Sequence, residues 1–230
     1  MRKYNAFFAG ILLVVAALWA NIAEARVTGH FEPLLDINYS IHDSFDGVSG
    51  DDYMLGGGLR LNFDIALGFS AGVEYARYQK EGDIFEIFDT SYNLHTLKFN
   101  VGWRYGVTDW FEPYVMAIIG PDFHSYELHG YTGLPDMKLV DINNKALLGA
   151  GGVLGMRFQL PDSWRKSWKT WDAFNLGIFI ESGYIYRMPL EISYAPENTT
   201  GAPQSYNKGI KPGEIKSGGP VLRMGLFIRF

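Results

Sequence analysis

The last ten residues of the chain, 221–230, alternate between two kinds of side chain with a period of two. Positions 222, 224, 226, 228 and 230 are Leu, Met, Leu, Ile and Phe, whereas Arg223 and Arg229 occupy positions between them. Successive side chains of a β-strand point to opposite faces. The segment therefore predicts a strand with one wholly apolar face and one face that carries both arginines.

The same alternation recurs in seven upstream segments, in which bulky apolar side chains alternate with Gly, Asn and charged residues. The clearest are residues 55–64, 95–105 and 174–187, and the fainter ones are residues 28–41, 66–79, 112–125 and 145–158. Eight short strands at such spacing predict an all-β sandwich or barrel. No later segment holds the 18 or more consecutive apolar residues that a membrane-spanning helix requires.

Alternation fits two kinds of barrel. A soluble sandwich or lipocalin-like barrel turns its apolar face inward, whereas a membrane barrel turns it toward lipid. The small and polar residues on the opposite faces suit a narrow lumen filled by side chains, which favours the membrane barrel. Aromatic residues near the predicted strand ends, typical of interfacial girdles, favour it too: Tyr39, Tyr75, Tyr78, Tyr92, Trp103, Tyr105, Trp110, Phe111, Tyr184, Tyr186 and Phe230.

The chain begins with a segment typical of an export signal. Arg2 and Lys3 precede an apolar run over residues 6–20, and an Ala-x-Ala site follows at residues 23–25. The alternative is a transmembrane anchor, but the run is only about 15 residues long and a spanning helix needs roughly 20. The pattern predicts a secretory signal peptide that is cleaved after Ala25.

The sequence thus divides into two predicted regions, the signal peptide (1–25) and a single barrel domain (26–230). Its composition excludes several classes of function. The formal net charge of −5 and the pI near 5.5 argue against a nucleic-acid binder, which needs a basic face. The chain has no Cys, which excludes thiol nucleophiles and Cys-ligated zinc and suits an oxidising compartment. A mean hydropathy of −0.04 excludes a polytopic helical membrane protein.

The connections between the predicted strands alternate between short and long. Tight turns are predicted at residues 64–66 and 107–111, and long polar loops at residues 42–52, 80–91, 126–144 and 188–216. Outer-membrane barrels have short periplasmic turns and longer extracellular loops. We therefore predict that both termini lie on the periplasmic side, and that the last loop, which is rich in Pro and Gly, is irregular.

One predicted periplasmic connection, residues 161–172, is unusually long. Trp164, Trp168 and Trp171 follow the spacing of one helical face, with Arg and Lys residues beside them. One interpretation is a short interfacial helix with its tryptophans in the membrane boundary. The other is a solvent-facing turn with the tryptophans packed on the barrel rim.

The terminal strand ending in Phe230 and the tight turn over residues 106–112 resemble those of the porin-like OmpA/OmpX/OmpW type of small outer-membrane barrel proteins. The resemblance implies an eight-stranded antiparallel up-and-down transmembrane β-barrel in the Gram-negative outer membrane. It also implies that Phe230 belongs to a signal for the barrel-assembly machinery, and that outer-membrane lipids and lipopolysaccharide are partners. Members of this group act as adhesins, anchors, narrow channels or lipid-modifying enzymes, so the function stays open.

The predicted lumen faces collect charges of both signs. They are Asp36, Arg60, Asp64, Glu74, Lys98, Arg104, Arg157, Glu181, Arg187, Arg223 and Arg229. One interpretation is a zipped interior, in which opposite charges pair and fill a lumen too narrow for a free channel. The other is a polar conduit whose pairs switch.

An enzymatic alternative rests on a few residues near the end of the fifth strand. Ser125, Glu127 and either His124 or His129 are the residue types of a hydrolytic triad. Ser125 and His124 are adjacent, however, so a strand turns them to opposite faces. No His spacing predicts a metal site, and no motif predicts a cofactor.

These observations predict a non-enzymatic outer-membrane barrel that binds no nucleic acid. Its role in envelope structure, adhesion or binding of an extracellular ligand would be carried by the long external loops. The alternatives are a lipid-modifying enzyme, such as a lipid A acyl hydrolase or transferase, and a narrow channel for small solutes.

Overall fold

The computed structural model describes residues 28–40, 52–84, 88–130, 138–161, 163, 175–192 and 213–230. Within these ranges the chain forms ten strands: β1 (Gly29–Tyr39), β2 (Tyr53–Ala66), β3 (Phe69–Ile84), β4 (Phe88–Arg104), β5 (Phe111–Gly130), β6 (Lys138–Gln159), β7 (Asn175–Arg187), β8 (Leu190–Ile192), β9 (Gly213–Ile215) and β10 (Gly219–Arg229). The predicted signal peptide and Trp164, Trp168 and Trp171 lie outside the described residues.

Eight of these strands form one closed barrel in which every neighbouring pair is antiparallel. Strands β1 to β7 follow one another around the wall, and β10 closes it between β7 and β1. At the seam between β1 and β10, Gly29 and Phe230 exchange backbone hydrogen bonds of 2.9 and 3.0 Å. The prediction of an eight-stranded antiparallel barrel is confirmed. We call the end of the barrel where Gly29 pairs with Phe230, and where the short turns lie, the inner mouth. The opposite end is the outer mouth.

The apolar faces predicted from the sequence point away from the lumen. Leu59, Val101 and Leu226 are exposed on the outer wall, whereas Arg60 and Arg223 are buried inside. Each strand therefore divides its residues between an apolar exterior and a polar interior, because successive side chains alternate across a sheet. This is the reverse of a soluble barrel with an apolar interior.

Two aromatic residues assigned to the interfacial girdle lie elsewhere. Tyr78 and Tyr92 point into the lumen and are completely buried, because they share the inward phase of β3 and β4 with Ala76 and Leu94. Other members of the predicted girdle are exposed on the outer wall, for example Trp103. The position of an aromatic residue near a strand end therefore does not show whether its ring faces the lipid or the lumen.

The turn between β2 and β3 differs from the prediction by a few residues. β2 continues through residues 64–66 with a register shift, and the turn is formed by Leu67 and Gly68. Both have positive φ angles, 52° and 84°, as a two-residue hairpin of type I′ requires. The predicted turn at residues 107–111 is confirmed, since an irregular segment separates β4 from β5 there.

Two predicted long loops, residues 80–91 and 126–144, are wrong in their secondary structure. β3 and β4 stay paired as far as Ile84 and Phe88, and β5 and β6 pair as far as His129 and Lys138. These segments read as loops because their outward side chains are polar, yet the period of two persists through them.

The outward chemistry of these long strands changes along their length. In the half of the barrel nearer the inner mouth, β3 and β4 present apolar side chains such as Val73 and Phe99 on the outer wall, which we call the lipid-facing belt. Beyond Tyr75, β3 presents Arg77, Gln79 and Glu81, which hydrogen-bond along the strand. We call the described parts of residues 76–96 and 122–146 the outer hairpins, because their polar outer surface indicates that they extend past the lipid-facing belt.

Candidate functional site

The centre of the lumen is organised around the guanidinium of Arg60 on β2. It donates to Glu74 Oε2 on β3 at 2.9 Å, to Glu32 Oε2 on β1 at 3.0 Å and to Glu181 Oε2 on β7 at 2.8 Å. All four side chains are fully buried. Strands from different sides of the barrel are thereby linked by a single charged group, which satisfies carboxylates that would otherwise be costly to bury.

A second guanidinium, that of Arg223 on β10, lies beside this group. It donates to Asp36 Oδ2 at 2.7 Å and lies 3.1 Å from Glu74 Oε1. Tyr78 donates its hydroxyl proton to the same Asp36 oxygen at 2.5 Å. Glu74 therefore bridges the two arginines, and the two clusters form one network.

Arg157 on β6 completes the central network. It forms an ion pair with Glu32. Its guanidinium carbon lies 4.9 Å from the ring centroid of Tyr114 and 5.5 Å from that of Phe227. Tyr114 in turn donates to Glu181 Oε1 at 2.5 Å. Aromatic rings thus fill the space between the ion pairs, and cation–π contacts add to their attraction.

A separate group of charges lies closer to the outer mouth. Lys98 Nζ is 2.6 Å from Asp122 Oδ1 and donates to the Gly120 carbonyl at 2.9 Å. Arg187 Nε lies 3.6 Å from Asp122 Oδ2, and its Nη1 donates to the Ser217 carbonyl at 2.8 Å. Arg187 therefore connects the lumen charges to the segment that precedes β10.

A third group borders the inner mouth and is partly exposed. Asp64 forms an ion pair with Arg104, and its Oδ2 lies 3.0 Å from His30 Nε2 and 3.5 Å from Arg229 Nη2. Arg229 Nη1 also lies 3.3 Å from Glu112 Oε1. This end of the lumen is therefore lined by paired side chains of both charges.

All eleven residues of the lumen set named from the sequence occupy inward-facing positions, and each has at least one oppositely charged partner. Nine are buried, whereas Asp64 and Arg229 are partly exposed. Three further carboxylates, Glu32, Glu112 and Asp122, belong to the same groups. They were missed because prolines blur the alternation of β1 and β5, although their even numbering matches that of Asp36 on β1 and His124 on β5.

An apolar cluster fills the outer mouth above the charges. β8 and β9 pair with each other and, together with residues 216–218, form a segment that we call the strap. Its apolar side chains pack in one buried cluster with inward-facing residues of the barrel. The members are Met54, Ala76, Tyr78, Tyr92, Leu94, Tyr126, Leu128, Leu190, Ile192 and Ile215.

Side-chain hydrogen bonds attach the strap to the barrel wall. Ser40 donates its hydroxyl proton to the Lys216 carbonyl at 2.9 Å, and Arg187 donates to the Ser217 carbonyl. The prediction of a wholly irregular loop over residues 188–216 is therefore wrong at both ends. Leu190 and Ile192 alternate with a polar residue, but three residues are too few for this pattern to predict a strand.

Glycines on the inner wall make room for aromatic rings of the neighbouring strand. A Cβ atom at Gly155 would lie 2.8 Å from Tyr114 Cε1, and one at Gly225 would lie 2.7 Å from Phe179 Cε1. Tyr78 overlies Gly56, and Phe227 overlies Gly177, in the same way. The glycines that the sequence places on the lumen faces therefore allow large rings to lie flat against the wall.

The residues of the enzymatic alternative are not assembled into a triad. His124 points into the lumen, where its Nδ1 lies 2.7 Å from the hydroxyl of Tyr92. Ser125 is on the other face and accepts a hydrogen bond from the Asn144 backbone N–H at 3.2 Å. His129 lies 3.3 Å from Glu127, four positions along the strand from Ser125. No hydrogen bond joins Ser125 to either histidine among these described residues.

The described ranges contain neither a metal site nor a membrane-spanning helix. No group of three or more His, Asp or Glu side chains is placed to hold a metal ion there. The described part of the chain also contains no helix long and apolar enough to span a bilayer. Phe230 lies at the seam, with its backbone hydrogen-bonded to Gly29 and its side chain partly exposed.

Several solved outer-membrane proteins show a low similarity to this chain. Neisserial surface protein A matches with a TM-score of 0.45 and 11% identity, over 88% of this chain and 94% of its own. Ail of Yersinia pestis matches with a TM-score of 0.44 and 9% identity, over 89% and 97%. The N-terminal barrel of Pseudomonas aeruginosa OprF gives 0.38 and 9%, over 88% and 97%. Likeness at this level says nothing about activity.

The match to a protein-family model is stronger evidence of relationship than these structural similarities. No curated protein sequence matches the chain significantly. The model described as outer membrane protein beta-barrel domain matches residues 9–167, which is more than half of the chain and includes β1 to β6. β7 and β10 lie beyond the matched region but close the same barrel. The chain therefore belongs to the outer membrane protein β-barrel domain family.

Proposed function

We propose that this protein is a non-conducting, non-enzymatic barrel of the outer membrane whose role is carried by its extracellular side. That role is adhesion, binding of an extracellular ligand or support of the envelope. The observation that carries the proposal is the filled lumen, where paired charges occupy the centre and an apolar cluster occupies the outer mouth. A lumen packed in this way leaves the exterior as the surface on which a function is built.

The outer hairpins are the surface best placed for contact with a ligand. They extend past the lipid-facing belt, and their outward side chains are polar, for example Arg77, Glu81 and His129. Their inward side chains pack against the strap, and this packing stabilises the hairpins from the inside. Lipopolysaccharide and lipids would surround the base of the hairpins, and the barrel-assembly machinery would insert the chain after export and cleavage of its signal peptide behind Ala25.

Planar-bilayer recordings of the purified full chain test the proposal. We expect no discrete conductance steps, because ion movement would require the ion pairs around Arg60 and the packed strap to separate together. Regular steps in the unmodified protein would overturn the proposal in favour of the narrow channel. An outer-membrane porin of known conductance, reconstituted in the same way, controls for insertion.

Lipid A from cells that overproduce the protein tests the enzymatic alternative. We expect mass spectra identical to those of cells carrying the empty vector, since no histidine in the described ranges is hydrogen-bonded to Ser125. Loss or gain of an acyl chain would overturn the non-enzymatic part of the proposal. A Ser125→Ala variant then distinguishes catalysis at that residue from catalysis elsewhere.

A further inference from the structure

A cavity of about 650 Å³ lies in the outer wall of the barrel, beside the seam. Every residue that lines it is apolar or glycine, and β1, β7 and β10 supply most of them. Leu35, Ile178 and Leu226 form its rim and are among the most exposed apolar residues of the chain. We call this cavity the seam groove.

The seam groove has a structural origin in β1. The ladder between β1 and β10 runs from Phe31, opposite Ile228, to Leu34, opposite Gly225, and is interrupted at the two residues between. One of these is Pro33, which lacks the N–H group that a ladder requires. A proline at this point weakens the contact between the strands where the barrel closes.

The opposing strand carries a glycine at the same level. Gly225 lines the groove, and so do the inward-facing residues paired with it on the neighbouring strands, Leu34 and Phe179. They belong with Phe227 to a small buried cluster on the lumen side of the seam. The groove is therefore apolar throughout its lining, and residues of this inner cluster contribute to that lining.

We propose that the seam groove binds one hydrocarbon chain of a membrane lipid. The groove is continuous with the exposed apolar belt by which the barrel meets the membrane, so acyl chains are what surrounds it. Its lining offers no charged or hydrogen-bonding side chain for a headgroup. Its volume lies within the range of small-molecule sites, and filling it with a chain removes the void that a rigid wall would leave.

Photocrosslinking tests this site directly. The full chain is reconstituted in vesicles of phosphatidylethanolamine and phosphatidylglycerol that contain a phospholipid with a diazirine in one acyl chain. After illumination, mass spectrometry locates the labelled peptides. We expect labelling of the lipid-facing residues of β7 and β10 near Ile178 and Leu226 to exceed that of β5 near Ile119 several-fold.

A pair of tryptophan variants makes the test specific. Leu226→Trp fills the groove and is expected to reduce its labelling to the level of the rest of the belt. Ile119→Trp introduces the same side chain at another exposed position of the belt and is expected to leave groove labelling unchanged. Both variants are checked for the closed barrel by gel mobility before and after boiling.

Two outcomes would overturn the proposal. Uniform labelling around the belt would mean that the groove holds acyl chains no better than any other part of the wall. Groove labelling that disappears when the protein-to-lipid ratio is raised, while labelling of the rest of the belt persists, would show that a second copy of this chain replaces lipid there and would make the groove a protein interface instead.

Discussion

Arg60 shows how the lumen accommodates charges that are completely removed from solvent. Its guanidinium reaches three carboxylates on three other strands, so no member of the group is left without a partner. A buried pair adds little net stability over apolar packing, but removal of one partner is strongly destabilising because the other stays buried and charged. The network therefore favours one arrangement of the strands over shifted alternatives.

A Glu181→Gln variant is expected to lose about 3–5 kcal/mol of unfolding free energy, because Arg60 and Tyr114 lose a charged partner in a buried position. Urea-induced unfolding in lipid vesicles measures the change. Glu81→Gln, on the exposed face of β3, is the control and is expected to stay within about 0.5 kcal/mol of the unmodified protein. Unchanged unfolding together with new conductance in Glu181→Gln would instead indicate a switchable gate.

Adding one methyl group at Gly155 is expected to destabilise the barrel by about 1–3 kcal/mol, because it would collide with the Tyr114 ring. Gly152→Ala on the same strand is the matched control, since its nearest neighbour is the Met116 carbonyl at 3.6 Å. We expect the control to unfold at the same urea concentration or slightly higher. Equal losses in both variants would contradict the role of Gly155 as space for a ring.

The sequence predicts single side chains well where the alternation is unbroken. Arg223 and Glu181 lie on strands with clear alternation, and both were placed in the lumen correctly. Glu32 was not predicted because Pro33 and the neighbouring apolar residues obscure the phase of β1. Which charges meet across the lumen depends on the stagger of strands around the barrel, and alternation along one strand carries no information about that stagger.

Among the strands, β8 and β9 differ from the rest because they lie outside the barrel ladder. They are three residues each, and their position depends on apolar contacts at the outer mouth and on side-chain hydrogen bonds such as those of Ser40 and Arg187. A pattern of three residues is too short to predict a strand reliably. The eight barrel strands, by contrast, are all predicted by their period. Six of them are longer than predicted, and in β3 to β6 the reason is that the polar outer parts resemble loops.

A Leu190→Asp variant is expected to release the strap, because it places an unpaired carboxylate in the apolar cluster. Hydrogen–deuterium exchange should become faster at the amides of β8 and β9 and stay slow in the eight strands of the barrel. Glu191→Asp introduces the same residue at the adjacent exposed position and is expected to leave exchange unchanged. Slow exchange of the strap in Leu190→Asp would show that other contacts hold it.

For the barrel as a whole, closure is the property with the most direct measurement. Every barrel strand has two paired neighbours, so no edge is available for detergent to open. We expect the outer-membrane form to migrate differently in SDS gels before and after boiling, because the closed barrel unfolds slowly without heat. Identical mobility, together with recovery from the soluble periplasmic fraction, would contradict a closed membrane barrel.

The seam between β1 and β10 joins the first barrel strand to the last, across nearly the entire chain. A sheet of seven strands has two unpaired edges and a lumen open to lipid between them, so some of its arginines and carboxylates would lose a partner without gaining water. A partly assembled barrel is therefore unfavourable in the membrane. We expect the chain either to be inserted as a closed barrel or to be degraded. A lesion anywhere on the wall is expected to appear as lower abundance of intact protein, with no accumulation of half-built forms.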